Sequence, residues 1–237
     1  MARSRRRRIL LAVVAVMTLA ALYVVAAGSV SKGLGREDLQ AIALLRADPY
    51  CRDRSGFAAE LRCIRHVQAA VLAIGRGDRC APKGSRIEPM DFIRRGFGCC
   101  FDRARFIEKA LGHYGYTTRR AALYSRRYGL PGLLTRRIDS HAGTEVRTAR
   151  GWLAVDSVQS FILMTRDGRP LRFADYDDPA PGRPVERPGP GHDFEFDRPF
   201  YVIYGLYSRH GGFHGPNLPA PEIHYPDFIR HTLLRQD

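Results

Sequence analysis

The chain has 237 residues, of which 45% are hydrophobic, and a formal net charge of +14 from 38 basic and 24 acidic residues. This length and apolar content exclude a disordered tail, a collagen-like repeat and a disulfide-knotted miniprotein, because such a chain can bury a core of its own. Outside the N-terminus, no basic cluster is regularly interleaved with aromatic residues, as single-strand nucleic-acid binding requires. We therefore predict no nucleic-acid partner.

The N-terminus combines a basic segment with an apolar one. Residues 1–8 carry five arginines, and residues 9–28 form an apolar stretch long enough to cross a bilayer as a helix. Because basic residues stay on the cytoplasmic side, we predict a single-pass signal anchor in the inner (cytoplasmic) membrane, with the rest of the chain on the periplasmic side. The alternative is a cleaved signal peptide with Val24 and Ala26 as its small-residue cleavage pattern. The length of the apolar stretch favours the anchor.

The remainder reads as a linker at 29–36 and one domain at 37–237. Its first half has helical periodicity, its second half has short extended runs, and residues 180–199 are rich in Pro and Gly, which predicts a long surface loop. This order of elements predicts an α+β fold with helices packed on an antiparallel sheet. The predicted helices are 37–47, 55–74, one from about 100 to a stop at 112, and 226–234, and the predicted strands are 119–124, 141–147, 152–158 and 200–207.

Three local patterns carry the candidate chemistry. In the first, glycines lead to Cys100 at the start of a helix, where the helix dipole and unpaired N–H groups favour the nucleophilic thiolate. In the second, His141 opens a strand, and in the third, Asp156 ends the next strand. If these strands form a hairpin, His141 and Asp156 lie near its open end, and a helix packed on the sheet brings Cys100 to the imidazole. The three residues then supply the nucleophile, the base and the orienting acid of a thiol acyl-transfer triad.

These patterns resemble the transglutaminase-like superfamily of papain-fold thiol enzymes, over about residues 85–160. The resemblance implies a papain-like core in which Cys100 is the nucleophile, His141 the base and Asp156 the residue that holds the base. It also implies acyl transfer through a Cys thioester, ending on water in a peptidase or amidase and on an amine in a cross-linking enzyme, without a cofactor. The motifs that carry it are Gly98-x-Cys100-x-Asp102-x-Ala104, His141-Ala142-x-x-Glu145-Val146, and Trp152 four residues before Asp156.

The chain departs from the family pattern at two places. Family members often carry an aromatic residue directly after the His-Ala pair, where this chain has Gly143, so the wall of the substrate groove is either more open or built by another residue. The cysteine is also doubled, and the match at Asp102 assigns the nucleophile to Cys100 rather than Cys99. Glu145 is interpreted as an exposed strand residue and is left out of the site.

The resemblance reserves Cys100 as a free thiol, which leaves four cysteines with three possible pairings in an oxidising compartment. We predict disulfides between Cys51 and Cys63 and between Cys80 and Cys99. No metal site is predicted. His210, His214 and His224 lack a ligand spacing, and Asp175, Asp177 and Asp178 lack the glycine and distal glutamate of a calcium loop.

The predicted function is that of an extracytoplasmic thiol enzyme acting on amide bonds of a peptide, a protein or an envelope polymer. Two alternatives remain open at this point. One is a binding or scaffold module that has the fold without turnover. The other is a cell-wall peptidase of another papain-like family, in which the third polar group is usually a second histidine. The sequence makes no prediction of oligomeric state.

Overall fold

The computed structural model describes residues 2–74, 79–82, 85–129, 139–177, 188–189, 192, 194–207 and 222–236. Within these ranges the chain is α+β, as predicted, with an apolar N-terminal helix followed by helices and a four-stranded antiparallel sheet. The helices are α1 (Ala2–Gly28), α2 (Arg36–Ala43), α3 (Asp48–Cys51), α4 (Phe57–Ile74), α5 (Pro89–Arg95), α6 (Cys100–His113), α7 (Phe173–Asp177) and α8 (Tyr225–Asp227), and α8 continues as a π-helix over Phe228–Leu233.

The sheet contains β1 (Thr118–Ser125), β2 (Ser140–Thr148), β3 (Gly151–Val155) and β4 (Phe200–Tyr204), in the order β3-β2-β1-β4. All neighbouring strands are antiparallel. One face of the sheet packs against α2, α4, α5 and α6 through a shared apolar core. The other face is covered by a second cluster that is dominated by phenylalanine side chains from the segment between β3 and β4. Side chains of the strands are therefore buried on both faces.

Several predicted boundaries differ from the structure for local reasons. The helix predicted over 37–47 ends at Ala43, and Asp48 begins the separate turn α3, with a proline in its first turn. Helix α5 was not predicted. The predicted strand 152–158 stops at Val155, because the Asp156 side chain folds the chain into a turn by accepting backbone N–H groups. The predicted helix stop at 112 is also wrong, since α6 continues to His113.

Helix α1 is exposed along its described side chains and is long and apolar enough to cross a membrane. The residues that follow it, predicted as a linker, lie against the domain. Ser29 forms a parallel β-bridge with Ile223, and the Lys32 ammonium donates to the Thr118 carbonyl and pairs with Asp227 at 2.9 Å. The apolar helix is thus joined to the domain by backbone hydrogen bonds and by an ion pair.

Helix α6 is buried on nearly all sides, although several of its residues carry charge. Buried charges require partners, and here they are supplied by neighbouring elements. Arg105 pairs with Glu108 and with Glu88, both at 3.1 Å, and Lys109 pairs with Asp38 at 2.7 Å and with Glu88. This ion network fixes the helix that begins with Cys100.

Both predicted disulfides are present, joining Cys51 to Cys63 and Cys80 to Cys99. All five cysteines lie among the described residues, and Cys100 is the free one. The first disulfide joins α3 to α4. The second ties residues 79–82 to the residue that precedes α6.

Replacing Gly98 with alanine should lower the free energy of unfolding by about 1–3 kcal/mol, the usual result of overpacking a filled position. An added Cβ would lie 2.7 Å from the Phe92 ring and 2.8 Å from the Asp102 Cβ. The matched control is Gly112→Ala in α6, where nothing lies within 4 Å and alanine should stabilise the helix by about 0.5–1 kcal/mol. Urea unfolding in detergent measures both variants, and equal effects would contradict the close packing at Gly98.

Candidate active site

Cys100 is the first residue of α6 and is partly exposed. The start of this helix is fixed by the Asp102 carboxylate, which accepts a hydrogen bond from the Cys99 N–H and pairs with Arg95 at 2.8 Å. Further along, the Thr144 hydroxyl of β2 donates to the Ala104 carbonyl at 2.9 Å. The motif residues around Cys100 therefore cap the helix and dock it on the sheet.

His141 and Asp156 meet at the open end of the β2–β3 hairpin, as predicted. Thr144 pairs with Val155 in the register of the two strands, which places Asp156 beside the beginning of β2. The His141 Nε2 lies 2.7 Å from the Asp156 Oδ2, and the two residues are 2% and 0% exposed. The Cys100 side chain lies close enough to the His141 ring to contribute to its raised pKa. Because Nε2 faces Asp156, Nδ1 is the ring nitrogen that remains for the thiol.

The Asp156 carboxylate accepts four hydrogen bonds. Its Oδ1 accepts the backbone N–H groups of Val158 at 2.7 Å and of Gln159 at 2.6 Å, and its Oδ2 faces His141 and His192. The turn itself is held by Gln68 of α4, whose amide donates to the Asp156 carbonyl at 2.9 Å and to the Phe161 carbonyl at 2.7 Å. Asp156 is therefore fixed through both its side chain and its backbone.

These contacts set the charges of the pair. Burial by itself raises the pKa of Asp156, but the charges and hydrogen bonds of His141 and His192 outweigh burial and lower that pKa well below its usual value. Burial likewise lowers the pKa of His141, and here the charge of Asp156, its hydrogen bond and the contact with Cys100 outweigh burial and raise the pKa to about 10. At neutral pH the site therefore holds a carboxylate against an imidazolium.

His192 lies beside the pair, although the sequence predicts a surface loop here and gives His192 no role in the site. The described part of 180–199 is a loop with exposed residues at 195 and 197–199, and the prediction is wrong only for the buried side chains of His192, Phe194 and Phe196. The His192 side chain is 4% exposed, and its Nε2 lies 3.3 Å from the Asp156 Oδ2. The Phe194 N–H donates to the His192 Nδ1 at 3.0 Å, so the ring proton is on Nε2 and points at the carboxylate. The period-two alternation of His192, Phe194 and Phe196 was the available signal of a buried face.

Aromatic side chains shield the pair from the side opposite α6. The rings of Phe194 and Phe196 lie with their centroids 5.7 Å from that of His141. The Phe173 ring occupies the space beside Gly143, since a Cβ added at Gly143 would lie 2.4 Å from the Phe173 Cζ. The space beside Gly143 is therefore filled by a buried side chain from another element.

Glu145 holds Phe173 in that place, and the prediction that Glu145 is exposed is wrong. Its side chain is buried and pairs with Arg119 at 2.7 Å. Its Oε1 accepts the Phe173 N–H at 2.8 Å and the Tyr204 hydroxyl at 3.1 Å. The alternation of polar and apolar residues along β2 could not reveal this burial, because both faces of the sheet are covered.

Ligand atoms of His141, Asp156 and His192 lie within 4.8 Å of one another. Their hydrogen bonds do not fit a metal centre. A metal on the His192 Nε2 requires the ring proton on Nδ1, yet Nδ1 faces the Phe194 N–H donor. Of the histidines considered in the sequence, His210 and His214 lie outside the described residues, and His224 contacts Asp227 at 3.2 Å. Asp178 also lies outside them, and Asp175 pairs with Arg172.

Comparison with known proteins finds no matching family model, no matching curated protein and no matching solved structure. The chemistry of the site is therefore argued from its own geometry.

The charge on His141 should make stability depend on pH. Because its pKa in the folded protein lies above the unfolded value of about 6.5, its contribution to stability is fully present below about pH 6.5 and is lost as the pH rises toward 10. We expect the difference in free energy of unfolding between the wild type and His141→Gln to shrink over this range. Urea unfolding between pH 6 and 10 measures it.

The matched control is His113→Gln, at an exposed position of α6, which should keep the wild-type pH profile. Parallel profiles for His141→Gln and the wild type would contradict a buried imidazolium at His141.

Proposed function

We propose that the protein is a membrane-anchored thiol enzyme of the transglutaminase-like, papain-fold type, in which Cys100 attacks the carbonyl of an amide. The observation that carries this proposal is the buried His141–Asp156 pair at 2.7 Å, with the partly exposed Cys100 thiol close enough to the imidazole to contribute to its raised pKa. A structural histidine needs neither a dedicated carboxylate nor a thiol at a helix N-terminus. The arrangement is that of nucleophile, base and orienting acid.

The reaction follows from the positions of these groups. The Cys100 sulfur, with its proton on His141, adds to the amide carbonyl and forms a tetrahedral intermediate. Backbone N–H groups at the start of α6, that of Cys100 among them, stabilise its oxyanion. His141 then returns the proton to the leaving amine, which departs as a thioester forms on Cys100. Water or a second amine next adds to the thioester, giving the acid or a new amide and restoring the thiol.

Asp156 keeps its charge through this cycle. Its carboxylate orients the imidazole and stabilises the imidazolium, and the four hydrogen bonds that it accepts oppose its own protonation. His192 donates to the same oxygen and cannot act as the base, because its Nδ1 already accepts a backbone N–H. We assign it the role of positioning Asp156.

The location supports an extracytoplasmic substrate. The apolar part of α1 follows the basic residues at the start of the same helix, and the two disulfides fit an oxidising compartment. We therefore propose the inner membrane as the site of anchoring, the periplasmic side as the place of catalysis, and amide bonds of a peptide, a protein or an envelope polymer as the substrate class.

The second candidate is a cell-wall peptidase of another papain-like family, in which a second histidine is the third polar group. The nearness of His192, whose ring centroid lies 4.9 Å from that of His141, favours this candidate. Against it, the group bonded directly to His141 is Asp156, and His192 bonds the same carboxylate from the side.

Alkylation of the thiol tests the proposed reactivity. Since the other four cysteines are in disulfides, iodoacetamide without reductant reports Cys100 alone. We expect rapid labelling already at pH 6, slowed about tenfold or more by His141→Gln and unchanged by His113→Gln. A wild-type rate that climbs about tenfold per pH unit toward pH 8.5, as for an ordinary thiol, would contradict the triad.

The two candidate families differ in which residue orients the base. On peptide or envelope-polymer fragments, Cys100→Ala should abolish amide cleavage and transfer, and Asp156→Asn should lower kcat about 10³- to 10⁴-fold. His192→Gln should lower kcat roughly 10- to 100-fold, as is usual for a residue that supports another. Product analysis by mass spectrometry with and without an added amine separates hydrolysis from transfer.

A loss in His192→Gln as large as in Asp156→Asn would favour the second candidate. Full cellular function of Cys100→Ala would favour a scaffold and would contradict both enzyme proposals.

A further inference from the structure

The end of the apolar helix is bonded to the segment that begins the C-terminal helix. The Ile223 N–H donates to the Gly28 carbonyl at 2.8 Å, and the Val30 N–H donates to the Ile223 carbonyl at 2.9 Å. Gly28 is the last residue of α1, so in a spanning helix it lies at the bilayer surface. Ile223 and the residues after it must then lie at that surface too.

The C-terminal helix, which comprises Tyr225–Asp227 and Phe228–Leu233, has one face packed on the domain. The His231 ring lies 5.7 Å from that of Trp152, and the Thr232 hydroxyl donates to the Tyr204 carbonyl at 3.1 Å. The other face is apolar and open. Its members are Ile229, Leu233 and Leu234, which are 46%, 62% and 58% exposed.

The charges beside this face match an anionic membrane. Arg230 and Arg235 are exposed next to the three apolar side chains. The acidic Asp227 of the same helix is turned toward Lys32 and is paired with it at 2.9 Å. An apolar face with flanking arginines is the composition of helices that lie in the headgroup region of a bilayer, and anionic lipids attract the arginines.

The joint with α1 also sets the orientation of the domain. Lys32 reaches the Thr118 carbonyl at the first residue of β1, whereas His141 pairs with Leu123 toward the other end of that strand. The axis of α6 lies along the length of β1. At about 1.5 Å per residue, its 14 residues place Cys100 roughly 20 Å from His113. The candidate active site and the joint with the anchor are therefore at opposite ends of the sheet.

We propose that the C-terminal helix is a second membrane contact. Its Ile229–Leu233–Leu234 face lies in the interface of the same bilayer that α1 spans, with Arg230 and Arg235 on anionic headgroups. This contact stops the domain from tilting on its anchor and keeps Cys100 directed away from the bilayer. It requires α1 to be inserted, and it does not depend on the proposed catalysis.

The experiment uses the full chain reconstituted into vesicles of phosphatidylcholine and phosphatidylglycerol, with or without brominated acyl chains. A tryptophan is added in Leu233→Trp and, as the control at the catalytic end, in the exposed position of Ser160→Trp. The emission of Trp152, the native tryptophan, is measured in the unaltered protein and subtracted. Both variants are checked for native disulfides.

In Leu233→Trp we expect brominated lipid to remove roughly half or more of the added emission, because an interfacial helix buries its apolar face about 5–10 Å into the headgroup boundary. The added emission of Ser160→Trp should not change. Combining Leu233→Trp with Arg230→Glu and Arg235→Glu should weaken the quenching in anionic vesicles. If Leu233→Trp does not fold, Leu234→Trp gives the same measurement.

Equal quenching at 233 and 160 would overturn the proposal. It would also be overturned if the tryptophan at 233 were shielded from aqueous iodide without being quenched by bromolipid, because a protein partner or a second copy of the chain would then cover the face.

Discussion

The candidate site depends on a buried carboxylate that must remain charged. Asp156 is fully buried, and an isolated carboxylate in that position would take up a proton. The structure opposes protonation with four hydrogen-bond donors, two from the backbone turn and two from imidazole rings. The charge that results keeps His141 protonated. The protonation state of His141 thus depends on the hydrogen-bond donors that keep Asp156 charged.

Other elements of the fold hold the three residues of the candidate site in position. Gln68 on α4 and the β2–β3 register place Asp156. The ion network around Arg105 and Lys109 holds α6 and with it Cys100. The stacked rings of Phe173 and Phe196 belong to the aromatic cluster that keeps water from His141. These supports come from segments far apart in sequence. They meet around Cys100, His141 and Asp156, and the proposed catalysis rests on that arrangement.

The sequence predicted the elements that local chemistry determines. The α+β class, the N-terminal apolar helix, the helix at Cys100 and the hairpin that joins His141 to Asp156 all follow from periodicity. Taking Cys100 as free still left three possible pairings of the other cysteines, and the structure has the predicted one. The sequence could not show that Glu145 is buried, because its partner Arg119 lies on another strand. His192 was hidden in a Pro- and Gly-rich segment, where composition indicates a loop and only tertiary contacts bring the ring to Asp156.

The most direct measurement of the central claim is ¹⁵N NMR of the His141 ring in the full-length protein between pH 5 and 10. We predict that both ring nitrogens carry protons at pH 7 and that the signals change only as the pH approaches 10, with the Nε2 proton shifted downfield by its short bond to Asp156. In Asp156→Asn the ring should be neutral at pH 7. A wild-type His141 that is neutral at pH 7 and titrates near 6.5 would contradict the buried ion pair and the triad built on it.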